Sequence, residues 1–305
     1  MKLAVALLAA SVATASAQPV AAPTEHVTVT APKDAPATVV DHFVQAFTAP
    51  SYLTGKVARW ESGICPVTVG LAPKFTAFVT ARVREIAAHT GAPVDKDPAC
   101  RPNIEIAFTT TPQALMDEIR KNHRNYLGYA EGAGQADKLA VVTHPIQAWY
   151  MTATKDLDGN VEVDAFNSVP VPIQVPCVLC TQGYMELYIP GAKKITGGRI
   201  KDGLRTVFHH AIIAADTGKL GDFEMGALAD YIAMLSLTQL QSLDVCQPLP
   251  SIINRLGPHC ENMSSQISES DLGYLRGIYS MSADGNLQMQ RDGIAYRMKE
   301  APDGK

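Results

Sequence analysis

The chain has 305 residues, with 26 basic and 30 acidic side chains and a formal net charge of −4. Its basic residues form no stripe or cluster, so nucleic acid is excluded as an expected partner. Hydrophobic residues make up 47% of the chain, yet after the N-terminus no apolar run approaches the roughly 20 residues that span a bilayer. The composition fits one domain with a large core and no transmembrane segment in the mature chain.

The first 17 residues, MKLAVALLAASVATASA, have the pattern of a secretory signal. A lysine precedes an apolar run that ends in small residues, so we expect cleavage after Ala17 and a periplasmic or secreted protein. Loss of Lys2 leaves 25 basic and 30 acidic residues, a net charge of −5 (25 − 30). Residues 18–33 are rich in Pro, Ala, Thr and Val, and this composition predicts a flexible tail. A single domain is expected at residues 34–298, and a disordered tail at residues 299–305.

Helix and strand patterns alternate through the first half of the domain. Asp34 is placed to cap a first helix, which has apolar residues at a spacing of three or four. A second helix is expected to start at Pro73 and to stop at Gly91, and a third runs from residue 111 to about residue 126. Strands are predicted at residues 59–70, 103–109 and 138–144.

The second half begins with β-structure. Residues 148–195 predict two β-hairpins, one around DLDGN and the other around IPGAKKITGG. A strand at 206–216 then leads into a helix at 222–241, which we expect to be continuous and amphipathic. Its buried face should hold Leu228, Ile232 and Leu235. The expected fold class is therefore α+β, close to α/β.

Six cysteines in an exported chain indicate disulfides, although six allow fifteen pairings. Neighbours along the sequence suggest Cys65–Cys100, Cys177–Cys180 and Cys246–Cys260. The CVLC run at Cys177–Cys180 could also be a thiol-redox pair or part of a metal site. Preceding prolines disfavour the helix start that lowers the pKa of a redox thiol, and no second pair at similar spacing supports zinc. We prefer a structural disulfide and leave the other two interpretations open.

Four segments follow one another in the order of a zinc peptidase of the matrixin kind, a metzincin. RWESGICPVTVG resembles the opening strand of that family, and ADYIAMLSL resembles its active-site helix. PSIIN resembles its methionine turn, and ISESDLGYLRGIYS resembles its last helix. Ser268 and Asp271 form a capping pair in this last segment. The resemblance covers residues 57–110 and 206–280. It implies a zincin-like mixed sheet with a helix in the active-site position, a C-terminal helix and a β-hairpin-rich insertion at about residues 148–200. The chain is also similar to exported bacterial proteins of unknown function.

The zinc-binding residues of that family are missing. Its His-Glu-x-x-His motif places two imidazoles on one helix face, with a glutamate to activate water. The equivalent positions hold Asp230, Tyr231 and Met234, and a phenol and a thioether do not replace a carboxylate and an imidazole at neutral pH. The third ligand position has Leu240 and the methionine turn has Ile253. The resemblance therefore implies a protease-like scaffold that binds no zinc, and no other cofactor is expected.

Two classes of function follow. The preferred one is an exported, non-catalytic zincin-like protein that binds a protein, peptide or glycan partner in the cell envelope. The other is an enzyme, either a metal-dependent hydrolase with a non-standard site around His209, His210 and Asp230, or a thiol-redox protein that uses Cys177 and Cys180. Because His209 and His210 are adjacent on a predicted strand, we expect their side chains to point to opposite faces and not to share an ion.

Overall fold

A computed structural model of the chain describes residues 32–164, 171–176, 184–189, 193–196, 198, 200–221 and 223–300. They form a mixed α+β fold, which confirms the expected class. The α-helices are α1 (Ala37–Phe47), α2 (Pro73–Thr90), α3 (Pro112–Asn122), α4 (Ala133–Leu139), α5 (Met225–Leu237), α6 (Glu269–Ser280) and α7 (Leu287–Lys299). None of the helices in this part of the chain has the length and apolarity that crossing a membrane requires. The expected signal sequence and most of both expected tails lie outside these residues.

The β-strands are β1 (Pro66–Val69), β2 (Ile104–Thr109), β3 (Ile146–Lys155), β4 (Val161–Val163), β5 (Val171–Pro176), β6 (Tyr184–Ile189) and β7 (Arg205–Asp216). Five of them form a mixed sheet in the order β1-β2-β7-β3-β4. The strands β1, β2 and β7 are parallel to one another, whereas β3 is antiparallel to both β7 and β4. The strands β5 and β6 form a separate antiparallel pair.

Helices cover both faces of the five-stranded sheet. The larger apolar cluster joins one face to α1, α2, α5, α6 and α7. The smaller cluster lies on the other face, where Met116 and Ile119 of α3 pack with Trp149 of β3 and Ile212 of β7. Because β7 has a helical layer on each face, it reads as a nearly continuous apolar run rather than as an alternating one.

Local sequence rules account for the ends of two helices. Pro73 starts α2, and Gly91 ends it in the left-handed conformation with a φ of 85°. Ser268 and Asp271 form the expected capping box of α6. The buried carboxylate of Asp271 also accepts hydrogen bonds from the Ser251 hydroxyl at 2.6 Å and the Ile252 N–H at 2.9 Å. The capping residue thus holds the PSIIN turn against the last part of the core.

Several predicted elements differ from the structure. Residues 138–144 form no strand: they comprise the end of α4 and a loop, because the good helix formers before them continue as a helix. Pro36, and not Asp34, occupies the N-cap of α1. The first strand begins only at Pro66, after isolated bridges at Arg59 and Ile64. A third helix predicted to about residue 126 ends at Asn122, and a short 3₁₀ turn follows it.

The two predicted hairpins are confirmed in part. The DLDGN turn joins β3 to β4. The second hairpin pairs β5 with β6, and therefore lies before the predicted IPGAKKITGG turn, of which only Ile189 is in a described strand. Disulfides join Cys65 to Cys100 and Cys246 to Cys260. Cys177 and Cys180 lie outside the described residues.

Candidate functional site

The positions that match the zincin motif lie inside the core. Asp230, Tyr231 and Met234 on α5 are all buried, as is Ile253 in the turn. The helix runs without a break through Leu235, but it is buried on every side from Ala227 to Leu237, so the expectation of an amphipathic helix is wrong. Apolar layers enclose the helix on all sides, and this removes its polar face. No substrate could reach these side chains without opening the fold.

Asp230 has a structural role that its burial explains. One carboxylate oxygen accepts a hydrogen bond from Arg82 Nε at 2.6 Å, and the other accepts one from the Ile267 N–H at 2.7 Å. A buried carboxylate is tolerated when its oxygens are paired in this way. Asp230 therefore joins α5 to α2 and to the segment before α6.

A β-bulge brings the two adjacent histidines to one pocket. Met151 of β3 lies opposite His210 and Thr152 lies opposite Phe208, so His209 is the extra residue on β7. Both histidines line a cavity of about 450 Å³, together with Glu105. The expectation of opposite faces assumed a regular strand; the bulge interrupts that alternation, and both histidines line one pocket.

His210 is the buried member of this pair. Its side chain is 7% exposed, and its Nε2 lies 3.2 Å from Glu105 Oε1 but makes no hydrogen bond to any described residue. Burial lowers the pKa of His210, while the Glu105 carboxylate acts in the opposite direction. The ring also meets the edge of Tyr126, with centroids 4.7 Å apart. A neutral imidazole of this kind is a chemically suitable metal ligand.

The remaining ligands for a metal are not found at this pocket. Asp230 is not among the residues that line it. Across the ranges described above, no three His, Cys, Asp or Glu side chains converge in a way that could hold a metal ion. A catalytic zinc ion takes three protein ligands and an open position, and the described pocket offers His209, His210 and Glu105 without that convergence.

We expect the purified mature protein to contain no stoichiometric zinc. Added chelator should leave its melting temperature unchanged, because removing a ligand destabilises only a protein that binds it in the native state. Elemental analysis measures the zinc content, and thermal scans with and without chelator measure the melting temperature. One zinc per chain that is lost in a His209→Ala/His210→Ala variant would contradict this expectation and would favour the hydrolase.

A second cavity, which we call the β3 groove, lies along β3. It has a volume of about 460 Å³, and its lining combines residues 147–150 and Thr152 with parts of four loops, at 50–52, 127–129, 138–143 and 239–240. The backbone of Gly128 passes over the strand: a Cβ at this position would lie 2.8 Å from the Tyr150 carbonyl oxygen, and φ is 99°. Glycine is therefore required at this end of the groove.

Among the described residues, no strand pairs with the part of β3 that forms the floor of the β3 groove. Asp216 N–H donates to the carbonyl oxygen of Pro145, the residue before β3, at 2.8 Å. Hydrogen-bonded positions alternate along an antiparallel pair, so Gln147 and Trp149 also bond to β7. The backbone groups of Ala148 and Tyr150 must then point outward, away from β7. β4 pairs only with the last three residues of β3. Among the residues that the structure describes, these outward N–H and C=O groups have no hydrogen-bond partner.

A hydrogen-bond chain at the rim of the groove has the outline of a catalytic relay. Asp244 Oδ1 lies 3.0 Å from His144 Nε2, and His144 Nδ1 lies 2.8 Å from the Thr143 hydroxyl. The Asp244 side chain is 70% exposed, however, so water competes for its carboxylate. The Thr143 and His144 N–H groups, which could stabilise an oxyanion, already donate to Gln147 Oε1. This arrangement orders the loop and lacks the buried base that acyl transfer requires.

Comparisons with known proteins identified no relative of this chain. No family model matches it, and neither the curated proteins nor the solved structures contain a significant match to it. The resemblance to a zinc peptidase therefore depends on the four sequence segments alone.

Proposed function

We propose that this chain is an exported, non-catalytic protein on a zincin-like scaffold that binds an extended peptide segment of a cell-envelope partner. The peptide lies in the β3 groove and adds one strand to the outer edge of β3. The observation that carries this proposal is the outward backbone of Ala148 and the outward N–H of Tyr150, whose carbonyl oxygen is covered by Gly128, on the floor of a cavity of about 460 Å³.

A peptide suits this edge better than a glycan does. An extended chain presents N–H and C=O groups on one side at every second residue, about 6.7 Å apart. Ala148 and Tyr150 are two residues apart on one strand and have the same repeat. The hydroxyl groups of a sugar have no such spacing, so a glycan would leave backbone donors and acceptors unmatched.

Three observations support a non-catalytic, exported protein. The zincin-motif positions are buried in structural contacts, as Asp230 shows. The histidine pocket lacks a converging third ligand among the described residues. Two disulfides fit an oxidising compartment outside the cytoplasm. The metal-dependent hydrolase remains the second candidate, because the bulge at His209 places two imidazoles at one cavity.

Peptides selected from a random display library on the mature protein test the proposal. Each amide of a selected peptide is replaced in turn by an ester, which removes one N–H donor. Affinity should fall at every second position, by up to about tenfold for each lost hydrogen bond. Ala148→Pro should weaken binding by at least a similar factor and keep the fold, because an edge strand tolerates proline where the N–H faces away from its partner.

The matched control is the melting temperature of Ala148→Pro, which shows that the variant is folded when binding is measured. Three outcomes would contradict the proposal. No peptide is selected, the loss of affinity in the ester scan does not recur at every second position, or folded Ala148→Pro binds as well as the parent protein. Selective binding of envelope glycans in place of peptides would also overturn it.

A further inference from the structure

A stacked pair of tyrosines stands at the wall of the β3 groove. The rings of Tyr52 and Tyr129 are nearly parallel, at 21°, with centroids 5.2 Å apart. Tyr52 is 61% exposed, although it is one of the largest apolar side chains of the molecule. Its hydroxyl donates a hydrogen bond to the Glu131 carboxylate, which raises the pKa of Tyr52. Because Tyr129 covers one face of the Tyr52 ring, the exposed area of this residue must lie on its other face and its edge.

The turn that carries Tyr52 is held in place before any ligand arrives. Ser51 N–H donates to the Lys56 carbonyl oxygen at 2.8 Å, and Gly55 N–H donates back to the Ser51 carbonyl oxygen at 2.9 Å. The Ser51 hydroxyl lies 2.7 Å from the Thr54 hydroxyl, which also contacts Thr206 of β7. An aromatic ring on a fixed turn loses little conformational entropy on binding.

We propose that the open face of Tyr52 determines the selectivity of the β3 groove by stacking on an aromatic side chain of the bound peptide. This inference rests on the proposed peptide-binding function. The local charges favour an uncharged ring over an ionic side chain, because Lys138 lines the same groove and Glu131 lies beside Tyr52. These opposite charges give no net attraction for an acidic or a basic residue. An aromatic ring extends the existing stack in the offset geometry that such rings prefer.

The test compares display selections on the parent protein and on Tyr52→Ala, Tyr52→Phe and Tyr296→Ala. The parent should select peptides with an aromatic residue at a fixed distance from the ester-sensitive positions. Tyr52→Ala should lose this preference and bind the selected peptides about tenfold more weakly, whereas Tyr52→Phe keeps the stack and the preference. Tyr296 on α7 is 64% exposed and lies outside the groove, so Tyr296→Ala is the matched control and should bind like the parent.

Failure of this inference can be told apart from failure of the proposed function. If peptides bind with the period of two in the ester scan, but show no aromatic preference or bind Tyr52→Ala equally well, the role of Tyr52 is wrong and edge binding stands. If no peptide binds at all, both are wrong. Melting temperatures of the Tyr52 variants should match that of the parent, because the side chain is exposed; a lower value for Tyr52→Ala alone would indicate a structural role and count against selectivity.

Discussion

Replacing Leu235 with alanine is expected to lower the free energy of unfolding by about 2–5 kcal/mol. Leu235 is 2% exposed in the last turn of α5, where α2 and the sheet enclose the helix. Truncating a leucine there removes its transfer free energy and leaves a cavity that close-packed neighbours fill only in part. Denaturant unfolding monitored by circular dichroism measures the change.

Leu53→Ala is the matched control for this experiment, because it is the same substitution at a leucine that is 45% exposed. Its effect should stay within about 0.5 kcal/mol. Equal effects of the two substitutions would contradict the assignment of α5 to the core. An α5 that lay open as an active-site helix would also tolerate the loss of Leu235 better than we expect.

Removing the Cys246–Cys260 disulfide by a double alanine substitution is expected to lower stability by about 3 kcal/mol, as the chain-entropy account gives for a loop of about 15 residues. The bridge closes the segment between α5 and α6, with a sequence separation of 14. It restricts the unfolded chain and holds the outer part of the loop. The hydrogen bonds that the Asp271 carboxylate accepts from Ser251 and Ile252 should keep the inner part of the loop packed against α6.

Peptide mapping without reduction shows directly whether Cys246 is linked to Cys260. Denaturant unfolding of the double variant then gives the loss of stability, and near-ultraviolet circular dichroism should show that packing around Trp60 and the opening strand is intact. A link from Cys246 to Cys65 or Cys177, a free Cys246, or an unchanged free energy of unfolding would each refute this role.

Local rules in the sequence predicted the elements whose ends depend on one or two side chains. Pro73 and Gly91 delimit α2, and Ser268 with Asp271 caps α6, because these residues act on their own backbone. The prediction at residues 138–144 failed where two valines suggested a strand. The helix formers before the segment continue as α4 to Leu139. The rest of the segment forms a loop, because no described strand pairs with it.

The candidate site was beyond local rules, because it depends on which strands pair. The bulge at His209 appears only in the register between β3 and β7. Within the described part of the chain, β3 has an open edge because its ten residues exceed the three residues of β4. The DLDGN turn does predict that hairpin, but the unequal lengths of its two strands are seen only in the structure. Tyr52 and Tyr129 are 77 residues apart (129 − 52), and no motif joins them.

Residue-resolved amide hydrogen exchange with and without a display-selected peptide tests the central claim most directly. The amides of Ala148 and Tyr150 point outward into the groove, and a docked strand should slow their exchange by about tenfold or more. The amides of Gln147 and Trp149 already bond to β7 and should change little, which makes them internal controls on the same strand. We expect this alternating protection; protection confined to the pocket of His209 and His210, or unchanged exchange at Ala148 and Tyr150, would contradict peptide binding at the edge of β3.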